Sequence, residues 1–225
     1  MLKYSLLFTL LAAVLISSCI SSANITDEKR FGILFEADKV GEDLTIGDQA
    51  VNISEFKFAL GSLTLTTEDD IAFETVERIT ALIFAYTEEL IQERLIIEVG
   101  LGINNDLAFN RYTMFLEPVE DRSSIFDDDF FGADENYSVI IKGTIGEEEF
   151  EFKSSAVFDK EFSFNRVEVD AMNETLVLRK TIDLEDLFTD SNGDFIDPRV
   201  SQNEVPLINS VQENLQLSVT AEDLY

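Results

Sequence analysis

The chain has no histidine, no tryptophan and a single cysteine, Cys19, in its 225 residues. Without histidine there is no Ser–His or Cys–His pair to activate a nucleophile, and zinc or copper sites built on His and Cys are excluded as well. One thiol allows no internal disulfide, so the folded part depends on its core even in an oxidising compartment. The absence of tryptophan argues against a stacked-sugar cleft. Paired carboxylates of the glycosidase kind carry no information in a chain with acids throughout, so a non-enzymatic protein is expected. Positive charge is also scarce, with 16 Lys and Arg against 45 Asp and Glu and a net charge of −29. A surface of that sign repels phosphate backbones and acidic head groups, which argues against nucleic acid and against polybasic membrane attachment. Divalent cations and basic partners are its natural complements.

What is present begins with an apolar run, Leu6 to Ile16, preceded by Lys3 and followed by Ser17-Ser18-Cys19. The run is well short of the about 20 apolar residues that a membrane-spanning helix needs, and it fits the apolar region of a signal peptide. Its end resembles a bacterial lipobox, in which cleavage precedes the cysteine and the cysteine is lipidated. Residues 1–18 are therefore expected to be a lipoprotein signal peptide, with Cys19 the site of acylation by palmitate-type chains. Each buried CH₂ of an acyl chain adds about 0.8 kcal/mol to anchoring, so several chains hold firmly. Ile20 rather than Asp follows the cysteine, which in such lipoproteins is compatible with the outer membrane, facing the periplasm or the surface. Residues 19–30 are polar and small and read as a flexible tether.

Residues 31–225 have room for one sizeable core, in a chain with 45% hydrophobic residues and 19 Phe. Phe31, Ile33 and Phe35 alternate with smaller or polar neighbours as a half-buried strand does. From Val51 to Thr66, Phe56, Phe58 and Leu60 share one parity and Leu63 and Leu65 the other; Gly61 at the switch predicts a bulge. Residues 71–95 admit a helix, on the spacing of Val76, Ile79, Ile83, Tyr86 and Leu90, or strands, of which Ala81–Tyr86 and Leu95–Leu101 are preferred, the latter closed by a turn at Asn104–Asp106. Tyr112–Leu116 is a short strand stopped by Pro118, and Glu120–Glu135 is a loop carrying Asp127–Asp129 among Phe126, Phe130 and Phe131. Val139–Ile145 and Phe150–Lys153 form a hairpin around Gly146, with Glu149, Glu151 and Lys153 facing out. Phe162, Phe164, Val167 and Val169 mark another strand and Leu176–Ile182 one more. Phe150, Phe152, Phe162 and Phe164 at strand spacing read as core. Asp183–Phe188 reads as a single helical turn, and Val205–Leu215 as a helix burying Ile208, Val211 and Leu215. The pattern predicts an all-β, antiparallel β-sandwich of short strands with one or two short helices near the C-terminus.

Two acid-rich turns are candidate cation sites. Asp190-Ser191-Asn192-Gly193-Asp194 resembles the start of a calcium loop, with oxygens at alternate positions and a glycine for the turn; Asp197 is the candidate late ligand. Phe195 and Ser201 depart from that pattern, where a glycine and an acid belong, and a solvated turn is the competing reading. Asp127–Asp129 is a weaker metal candidate, because charge runs are usually solvated faces.

The order of Ile53-Ser54-Glu55-Phe56-Lys57-Phe58, Leu101-Gly102-Ile103-Asn104-Asn105, Asn136–Gly143 leading to Phe150-Glu151-Phe152-Lys153, and Leu184–Phe188 resembles the MbnP-like group of bacterial β-sandwich lipoproteins. The resemblance implies an immunoglobulin-like or transthyretin-like sandwich, exported and often lipid-anchored. Some relatives are linked to copper through His and Trp; here Lys153 stands where the family histidine is expected, and copper binding is not carried over. The expected function is a lipid-anchored envelope protein whose acidic sandwich binds a cation, a small ligand or an envelope partner. The alternative is a fimbria-like assembly subunit.

Overall fold

The computed structural model describes residues 30–74, 79–99, 107–169, 175–215 and 219–223. The fold is mostly β, in two sheets. One sheet has the order β13-β12-β1-β7, made of β1 (Arg30–Asp38), β7 (Arg94–Val99), β12 (Thr175–Asp183) and β13 (Val219–Asp223). The other is organised on β3 (Gln49–Thr67). One edge of β3 carries β9 (Val139–Ile145) and then β8 (Leu107–Leu116); the opposite edge carries β2 (Asp43–Ile46), β5 (Thr80–Tyr86) and β4 (Ala72–Glu74). β10 (Glu148–Ser154) extends the sheet beyond β9, β11 (Phe158–Val169) beyond β8, and β6 (Ile91–Gln92) beyond β5.

The inner faces share one core. Ile33 and Phe35 of β1 and Ile182 of β12 meet Phe56, Phe58 and Phe84 of the larger sheet, and the rings of Phe35 and Phe58 pack edge-on at 6.1 Å across the two sheets. Phe150, Phe152 and Phe162 are buried in the same core and Phe164 packs against it. Parity along β3 switches where the glycine predicts it: Leu60 pairs Leu116 and Ser62 pairs Phe115, so Gly61 is the extra residue and both halves of the strand aim their large side chains inward. Within 79–95 the chain forms the strands Thr80–Tyr86, Ile91–Gln92 and the start of β7 and no helix, because Leu82 and Phe84 alternate with Ile83 across the sheet.

Several expectations are corrected. β1 and β12 run parallel, from Arg30↔Thr175 to Asp38↔Asp183, so the smaller sheet is not purely antiparallel. No hairpin joins the two strands; the chain builds the larger sheet between them and returns in its original direction, a pairing that only a long connection permits. β3 spans 19 residues and is no short strand, because its two halves serve two different neighbours on one edge. The strand read at Tyr112–Leu116 begins earlier, at Leu107. Arg30, read as the end of the tether, is the first residue of β1. Near the C-terminus, α1 (Leu184–Leu187) is capped by Asp183, whose side chain accepts the Glu185 N–H at 2.9 Å. α2 (Glu204–Asn214) buries Leu207, Ile208 and Val211, and Leu215 just beyond its end, in the main core. Among the described residues no helix is long and apolar enough to cross a membrane.

Candidate functional site

β8 leaves the sheet at Leu116, opposite Leu60, and β9 re-enters at Val139, opposite Phe58. The intervening residues 117–138 lie on the outer face of the larger sheet. Val119, Ile125 and Phe130 form a second, smaller core there with Ala59 of β3 and Ile140 of β9. Period-2 alternation gives the rest of this face its character, since the chain neighbours of inward Phe56, Phe58, Ile141 and Phe152 include Glu55, Lys57, Lys142, Glu151 and Lys153. Register sets Glu55, Lys142 and Glu151 side by side in one row, and Lys57, Ile140 and Lys153 in the next. Lys142 Nζ lies 3.6 Å from Glu55 and 3.7 Å from Glu151. Lys153 pairs with Glu151 at 3.0 Å and sits over the Tyr137 ring.

The loop adds two carboxylates to these rows. Its single 3-10 turn, Asp128–Phe130, is capped by Asp127, which accepts the Asp129 N–H at 2.9 Å. The turn sends three consecutive acids different ways. Asp127 and Asp129 reach down to Lys57 Nζ at 2.9 and 2.6 Å, and Asp129 also accepts from Lys142 at 2.5 Å; Asp128 points out to Arg122. Lys57, with its side chain only 8% exposed, also meets Glu55 at 2.6 Å. Burial alone would push the Lys57 ammonium down, but its hydrogen bonds to Asp129 and Asp127 and its close ion pair with Glu55 outweigh that and hold it above the usual lysine range. Burial likewise opposes ionisation of Asp129, yet Lys142 and Lys57 bring it down to about 2.

Within this pinned loop, Phe126 is 99% exposed although its neighbours are fixed, Ile125 in the small core and Asp127 on Lys57. Fully burying such a side chain contributes about 2–3 kcal/mol, which Phe130 realises and Phe126 forgoes. Arg122 stacks at 4.6 Å on the ring of the third phenylalanine, Phe131.

Beside the loop a shallow depression of about 530 Å³ is lined by Asn52, Ser54, Lys142, Thr144, Glu149 and Glu151. Its floor needs Gly143, where a Cβ would stand 1.9 Å from the Asn52 carbonyl oxygen. A second register shift, between Ile53 and Glu55, places Ser54 at its rim.

The second acid-rich turn is self-contained. Asp190 Oδ1 accepts the backbone N–H groups of Asn192 and Asp194 at 2.8 and 2.9 Å, and its Oδ2 accepts from the Asn192 side chain. Those bonds, the Asp194 and Asn192 N–H groups first, lower the Asp190 pKa. Gly193 closes the turn at a φ of 84°. Asp197 lies beyond Thr189↔Phe195 and is held by Arg199 at 2.8 Å, which lowers its pKa. The four residues expected as calcium ligands are thus on one stretch of chain, but Asp190 and Asp197 face different partners. No group of three or more His, Cys, Asp or Glu is placed to hold a metal among the described residues. Asp190 also borders a cavity of about 290 Å³ with Asp186, Ser210 and Glu213. Cys19, the signal peptide, residues 19–29 and the turn at Asn104–Asp106 lie outside the described residues.

No family model matches the chain, and no curated protein matches it at a significant level. A solved structure similar to it is MbnP from Methylosinus trichosporium, at 9% sequence identity and a TM-score of 0.46, with 71% of this chain and 77% of that chain covered.

The sequence offers Asp127–Asp129 as a weak metal candidate or a solvated run and gives Lys57 and Lys142 no role; in the structure the acids are tied to those two lysines instead. Nothing local marks Lys57. A lysine between Phe56 and Phe58 reads as the wet face of a strand, and only the loop that later covers that face makes it a buried hub.

Proposed function

We propose that this is a non-enzymatic, lipid-anchored protein of the bacterial outer membrane whose acidic sandwich serves as a binding module for an envelope partner. The observation that carries the reading is the outer-face platform. Residues 117–138 are fixed by a dedicated apolar core and by ion pairs to Lys57 and Lys142, and the fixed loop presents apolar and acidic side chains to solvent. Preorganised loops on a rigid sheet are the usual place for recognition. The platform lysines and Asp129 are held in their charged forms, which suits binding and not proton transfer. A partner is preferred to calcium because Asp197 is already paired with Arg199 and Asp190 is turned onto its own backbone, so the two acids do not converge on one point.

Two measurements test this. Labelled palmitate is incorporated by the full chain and lost with Cys19→Ala, which also releases the protein from membranes. Amine cross-linking of intact envelopes then gives a discrete complex with a second protein; a strict monomer with no cross-linked partner overturns the reading. β10 favours an assembly subunit as a second reading, since it is an edge strand whose one neighbour among the described strands is β9. Oligomers that grow with concentration would select it.

A further inference from the structure

We infer that Phe126 is the anchor of the docking surface and that its partner is a protein with an apolar pocket rimmed by lysine or arginine. This rests on the binding-module reading and names the partner's chemistry. Phe126 is held out by two fixed neighbours, so its ring is displayed without the ordering cost that a mobile loop would incur. Aromatic anchors surrounded by polar contacts are where binding energy concentrates. The surroundings fix the sign of the partner: residues 117–138 carry eight acids against one arginine, and Glu120, Asp121, Asp128, Asp134 and Glu135 are exposed. Such a rim steers a basic surface onto the ring and repels a like-charged one. The same acids disfavour insertion of Phe126 into a bilayer with anionic head groups, so the occupant is a protein and not the membrane.

The test places the photo-cross-linking residue p-benzoylphenylalanine at position 126 of the full-length chain in its own envelope, with Val157 and Val205, also exposed, as control positions. Position 126 is expected to give a protein adduct that neither control gives. Its yield should fall about tenfold or more when Glu120, Asp128 and Asp134 are changed to Lys. Purified Phe126→Ser should melt within about 1 °C of the parent, since the ring adds nothing to the core, and should bind the partner identified from the adduct about tenfold or more weakly. Adducts to lipid or to a second copy of this chain overturn the inference, as do a yield indifferent to charge reversal and a melt lowered by several degrees. Adducts from a control position but not from 126 leave the binding module standing and remove Phe126 from it. Silence at all three positions, together with no amine-cross-linked complex, removes both.

Discussion

The turns at Asp127–Asp129 and Asp190–Asp194 look alike as sequence, each a short acid-rich run beside phenylalanine, and they are used in opposite ways. At Asp190 the carboxylate folds back on its own backbone, so the turn is complete within five residues. At Asp127 and Asp129 the carboxylates face two lysines that lie 70 and 13 residues away in the chain, and they clamp a loop to a sheet. What an acidic run does is therefore set by what stands opposite it. A local N–H makes it a turn and a buried ammonium makes it a long-range tie.

The sharpest way to break this contrast is to remove the ammonium. Lys57→Met leaves Glu55, Asp127 and Asp129 crowded without their common cation, and a loss of about 3 kcal/mol in urea unfolding is expected. Adding Asp127→Asn and Asp129→Asn should recover part of it. Asp190→Ala removes only a local cap and should cost about 1 kcal/mol in the same measurement. Equal costs for the two would erase the distinction.

Acid titration sharpens it further. Asp129 has its folded pKa depressed to about 2 from 3.8, so the stability it contributes is fully present above the unfolded value and lost as the pH falls through the folded one. Carboxyl shifts followed by NMR should show Asp129 titrating near the low value and moving up in Lys142→Met, with Asp190 unaffected. The smallest effect concerns calcium. Because Asp190 Oδ1 is engaged by two backbone N–H groups and Oδ2 by the Asn192 side chain, while Arg199 holds Asp197, millimolar calcium or EDTA should move the melting temperature by less than about 1 °C. A rise of several degrees that disappears in Asp190→Asn would make the second turn a cation site after all.

Much of the fold was legible because alternation and turn chemistry are local. The Val139–Lys153 hairpin, the switch at Gly61, the helical turn after Asp183 and the buried face of α2 all follow from spacing within a dozen residues, whereas spacing alone left 71–95 open between helix and strands. The parallel pairing of β1 with β12 was not legible, since strand direction is decided by where a chain returns and not by the residues that pair. The platform was hidden for a similar reason. Phe126 and Phe130 are indistinguishable in sequence, yet one is fully exposed and the other fully buried, because the 3-10 turn between them points only the second at the sheet.

By itself the sequence determined that the chain folds as a β-rich body on a phenylalanine core, without imidazole chemistry and with a surface that repels polyanions. Those conclusions depend on composition and on the two-residue period, which hold wherever a strand ends up. Only the tertiary structure decided which acids are spent and which are displayed. That choice depends on Lys57 and Lys142 meeting a loop from elsewhere in the chain, and a contact across 70 residues leaves no mark on either partner's neighbours.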